Sequence, residues 1–167
     1  MAIRRHGISE QIVGHYFAHS SLVGYGYGTP LVICDASGNT TGITNWGTGH
    51  AGDGGNFVCA STGEDGEQFV GILKSVVEDI DRTKNPHWSQ FYTSSTTECR
   101  PVNVLTKGYV FLNNVSASGL AAALPGVVPT LGAGVFSIGG AQDAVGALYG
   151  GVPDSNNYVK ISVDINP

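Results

Sequence analysis

The chain has 167 residues, a formal net charge of -5 and only 13% charged residues. Its eight Lys and Arg are scattered, so it lacks the clustered cations that phosphate backbones require, which excludes nucleic acid as the main partner. The length suits one domain, and 25 glycines, about twice the usual share, point to an all-β, loop-rich fold: a small barrel or sandwich with an extended N-terminal arm and long Gly-rich loops. A soluble surface usually carries about 25 to 35% charged residues, so much of this one is expected to lie against other protein.

In chain order, residues 1–30 read as an arm or short helix ahead of a single β-domain over 31–167. Ile8, Ile12, Val13, Tyr16 and Phe17 recur at helical spacing, and deletion of 1–28 is expected to spare the fold. A helix would bring His15 and His19 onto one face, but Tyr16 stands where a zincin Glu would be, and no third ligand is compelled. Gly24 to Pro30 (GYGYGTP) departs from the dinucleotide-binding pattern, because its third Gly comes one place early and Pro30 blocks the helix. Tyr25 and Tyr27 instead lead, extended, into a strand at Leu31 to Asp35. Ala36 to Asn56 reads as a surface loop carrying Trp46, and Phe57 to Ala60 as a short strand. Glu64, Asp65 and Glu67, like Glu78, Asp79 and Asp81, lack calcium-loop spacing and read as solvated turn charges.

Phe69 to Asp81 (FVGILKSVVEDID) and Val102 to Leu112 (VNVLTKGYVFL) are rich in β-branched and aromatic residues and read as partner strands at the centre of the domain. Between them, Arg82 to Arg100 is a polar excursion with His87, Trp88 and Tyr92. Gly108 to Gln142 holds no charge across 35 positions, so its apolar residues must be buried in the core or against a neighbour. Within it GLAAAL reads as one or two helical turns and VVPTLGAGVFSIGG as loop plus strand. Tyr158 to Ile165 alternates strictly, with Val159, Ile161, Val163 and Ile165 on one face.

Cys34, Cys59 and Cys99 are an odd number at wide spacing and read as reduced core residues. The N-terminus has basic residues but no apolar run behind them, so no secretion leader is expected. Pro and Gly interrupt the most apolar stretch, Leu120 to Gly140, which argues against a membrane span.

The succession of a Gly71 to Leu73 strand, a V-x-V-x-x-x-G-x-V strand at Val102 to Val110 and a closing Ala144 to Ile165 segment (AVGALYGG, a turn, YVKISVDI) resembles the head decoration, or structural cement, proteins of tailed bacteriophages. The resemblance covers roughly the last hundred residues. It implies a virion protein without catalysis or cofactor, made in the host cytoplasm. Such a protein would bind the capsid exterior as a dimer or trimer and clamp neighbouring major-capsid subunits. Loop aromatics are the expected contacts: Tyr25, Tyr27, Trp46, His87, Trp88 and Tyr92. Two alternatives remain: a tail- or fibre-associated module that binds host glycans, and an enzyme using His15, His19 or His50 with Asp53.

Overall fold

The computed structural model describes residues 11–35, 37–43, 56–74, 77 and 100–165. They form nine strands and one short helix: β1 Gln11–Ala18, β2 Pro30–Cys34, β3 Asn56–Ala60, β4 Phe69–Leu73, β5 Arg100–Leu112, α1 Ala117–Ala122, β6 Thr130–Leu131, β7 Phe136–Ser137, β8 Ala147–Tyr149 and β9 Val159–Asp164. None of the described helices is long and apolar enough to cross a membrane.

Seven strands form one sheet in the order β1-β3-β2-β4-β5-β9-β8, and β1 also pairs with β5, so the first five close into a barrel. The two strands expected as partners do pair: Ile72 lies opposite Leu105 and Leu73 opposite Val104. At Gly71 a Cβ would come within 2.5 Å of the Leu105 carbonyl oxygen, and its φ of 145° is one that L side chains rarely adopt. The barrel encloses Tyr16, Ala18, Leu31, Val58, Val70, Leu73, Val102 and Val104. Each such aliphatic side chain, fully buried, contributes roughly 1.5 to 3 kcal/mol.

β5 is long enough to leave the barrel, and its second half pairs with β9, which pairs with β8. One side of this extension carries Val110, Leu112, Val159, Ile161 and Val163, which meet Val115, Leu131, Phe136, Ala147 and Tyr149 in a second core. Much of the uncharged segment is therefore buried in the chain itself. Phe136 packs edge-on to Phe69, with ring centroids 5.9 Å apart. The Tyr149 hydroxyl donates to the Ser137 carbonyl over 3.2 Å, and burial pushes its phenol up to about 12.

Three expectations need correction. From Gln11 the segment read as helix or arm is a strand, parallel to β3 and antiparallel to β5. Deleting 1–28 would therefore open the barrel. Cys34 and Cys59 are not reduced but form a disulfide. The β2–β3 register sets Cys34 opposite Phe57 and Val32 opposite Cys59, leaving the two cysteines diagonal on one face with Cα atoms 5.9 Å apart, within bridging range. Glu67 is no solvated turn charge: it is 3% exposed, and its carboxylate accepts from the Thr62 and Gly63 amides and the Thr62 hydroxyl.

Candidate functional site

Of the six aromatic and histidine contacts expected from sequence, Tyr25 and Tyr27 are described. Trp46, His87, Trp88 and Tyr92 lie outside the described residues. The two tyrosines sit on the connection between a 3-10 turn at Ser20–Leu22 and β2. That connection is held at both ends: the Gly24 amide donates to the Val77 carbonyl at 2.9 Å, the Val77 amide to Tyr25 at 3.0 Å and the Gly28 amide to Leu73 at 2.9 Å. The Thr29 hydroxyl donates to the Gly26 carbonyl at 2.8 Å and closes the turn.

Tyr25 and Tyr27 are 36% and 47% exposed and border an open cleft of about 440 Å³. Gly134 and Val135 face them across it, and Asn113 and Asn114, just beyond β5, contribute carboxamides. The Tyr25 ring lies against Gly134, where a Cβ would approach Cε1 to 2.5 Å. The Asn114 Nδ2 donates to the Gly134 carbonyl at 2.9 Å, and the Gly134 amide donates to Ser61 at 2.8 Å, so the far wall is fixed. The Lys74 ammonium sits 5.2 Å from the centre of the Tyr27 ring. None of the described residues lining the cleft is charged.

A second surface lies on the open side of the β5-β9-β8 extension. Registers place Tyr109, Ser162 and Leu148 in one row and Phe111 beside Lys160. Phe111 is 56% and Leu148 42% exposed. The Tyr109 and Phe111 rings meet edge-on at 5.9 Å, and the Lys160 ammonium lies 4.4 Å from the centre of the Tyr109 ring. Lys107 and Asp164 form an exposed ion pair at 3.6 Å at one end of this surface.

His19 is a local cap: its Nδ1 accepts from the Ser21 amide at 3.2 Å, and Gly38 lies beneath the ring. With β1 extended, the helical juxtaposition of His15 and His19 does not arise, since four residues along a strand span about 13 Å. His50 and Asp53 lie outside the described residues. No group of three or more His, Cys, Asp or Glu suited to a metal occurs among the described residues.

Sequence reasoning marked Tyr25 and Tyr27 but missed Asn113, Gly134, Phe111 and Lys160. The alternation in Tyr109 to Leu112 assigns Phe111 to the face opposite Val110, a signal masked by the unbroken apolar run YVFL. Comparison of the chain with family models, curated proteins and solved structures gave no match.

Proposed function

We propose that the chain is a tailed-bacteriophage capsid decoration protein that binds the outside of the assembled head and clamps neighbouring major-capsid subunits, without catalysis. The observation that carries this reading is the open face of β5-β9-β8, where Phe111 and Leu148 are solvent-facing and belong to neither core. Exposed apolar side chains that share one sheet face, here flanking Lys160 and Ser162, are candidates for a contact surface. The segments behind the resemblance support it as well: they supply β4, β5, β9 and β8, which are neighbours in one sheet. Attachment to the assembled shell alone would stabilise the shell by linkage. Association as a dimer or trimer would multiply modest contacts through avidity.

The test is co-sedimentation with assembled heads. Binding at a fixed ratio to the major capsid protein is expected. Phe111→Ala should bind at least tenfold more weakly, with folding stability within about 0.5 kcal/mol of the parent. A chain that stays free beside intact heads would overturn the proposal. The second reading, a glycan- or host-binding module associated with tail or fibre, is favoured by the Tyr25–Tyr27 cleft.

A further inference from the structure

We infer that the cleft between the 24–29 connection and the 133–135 turn is a binding site for a neutral saccharide. This rests on the second reading for its ligand class and is compatible with shell attachment through the opposite surface chemistry of Phe111.

The volume of about 440 Å³ falls within the usual range for small-ligand clefts, about 300 to 1,000 Å³. Its chemistry is selective. Two partly exposed phenol rings provide flat apolar surfaces for the C–H faces of a pyranose. Among the described residues, the Tyr25 and Tyr27 hydroxyls and the Asn113 carboxamide have no hydrogen-bond partner, so donors and acceptors stand ready at the cleft margin. Neutral donor–acceptor pairs beside aromatic faces match alternating hydroxyl and C–H groups.

Other ligand classes fit less well. A phosphate or carboxylate would find no cation among the described residues of the lining, and Lys74 sits over the Tyr27 ring. A nucleic-acid strand would stack on the tyrosines, but the described residues of the lining offer its phosphates no basic track, and the net charge is -5.

The walls are also set in advance. Hydrogen bonds from Gly24, Gly28 and Thr29 hold one side, and those of Gly134 and Asn114 hold the other. Gly134, at φ 70°, lets the Tyr25 ring approach its backbone, a contact no other residue would allow. Little ordering remains to be done on binding, which favours recognition of a weakly interacting neutral ligand.

The experiment is saturation-transfer NMR on the full chain with neutral hexasaccharides of glucose, galactose and N-acetylglucosamine, followed by titration of the best binder. Saturation should reach pyranose C–H protons. Tyr27→Ala and Asn113→Ala should each weaken binding about tenfold while leaving the melting temperature within about 2 °C. Gly134→Ala should weaken it too, by displacing Tyr25. Phe111→Ala should leave sugar binding unchanged while impairing attachment to heads, so failure of the cleft and failure of the shell-binding face read out separately. No transfer to any of these sugars would overturn the inference. So would sugar binding indifferent to both Tyr27→Ala and Asn113→Ala, or transfer seen only with phosphorylated or peptide ligands.

Discussion

The barrel core is enclosed by hydrogen-bonded strands on all sides, whereas the core beneath β5-β9-β8 is roofed by residues 113–146, which hold one six-residue helix and two two-residue strands. In the barrel the backbone ladder excludes water, and the side chains inside are mostly aliphatic. In the roofed core that role passes to single contacts: the Leu131 amide to the Gln142 carbonyl at 2.7 Å, the Ser116 amide to Phe136 at 2.8 Å and the Ala144 amide to Pro129 at 2.9 Å. Ser116 also caps α1 by accepting from the Gly119 amide at 3.1 Å. A segment with Asp143 as its single charged residue and nearly without regular structure stays ordered because large side chains, Phe136 above all, replace the missing ladder.

Phe136→Ala tests this most severely. It empties the centre of the roofed core and should cost about 3 to 5 kcal/mol in urea unfolding. A loss below about 1 kcal/mol would mean the roof does not depend on that ring. For the barrel, replacing both Cys34 and Cys59 with Ser removes a cross-link between residues 25 apart and should cost about 3.5 kcal/mol by the loop-entropy relation. The same loss should follow reduction of the parent, and stability unchanged by reductant would contradict the bond. Glu67→Ala leaves the Thr62 and Gly63 amides without their buried acceptor and should cost about 1 to 3 kcal/mol, measured by thermal melting.

The smallest effect concerns pH. The Asn39 carboxamide, donating to Asp35 at 2.8 Å, holds the Asp35 carboxyl below its ordinary value, with the Ser37 and Asn39 amides adding to this. A depressed native value means that the stabilisation is present above the unfolded value, near pH 4, and is lost as pH falls through the native one. The melting-temperature gap between the parent and Asp35→Ala should therefore be constant at neutral pH and narrow below about pH 4. A gap that widens on acidification would refute the assignment.

Where local pattern and tertiary role agreed, the fold was legible. The alternation of Val159, Ile161 and Val163 gave both a strand and its buried face, and the β-branched density of β4 and β5 gave a true pair. β1 was misread because Ile12, Val13, Tyr16 and Phe17 satisfy helical spacing, and only pairing to β3 and β5, contributed from far along the chain, makes them a strand. The disulfide depended on the same long-range register, which no spacing between Cys34 and Cys59 encodes. Glu67 sits in a turn sequence that reads as solvated until the Thr62 and Gly63 amides are seen to converge on it. The cleft was half legible: Tyr25 and Tyr27 stood out as aromatics among glycines, but Asn113 and Gly134 reach them only through the path of β5 and the roof.

Outside the barrel, the far end of the sheet is covered as well. Of the strands described, β8 is where the seven-stranded sheet ends, and its outward groups are already engaged: the Tyr149 amide donates to Val127 and its carbonyl accepts from Gly126 at 2.8 Å. Among the described residues, the β8 edge is therefore covered at Tyr149, where an added strand would have to displace residues 126–127 to pair with it.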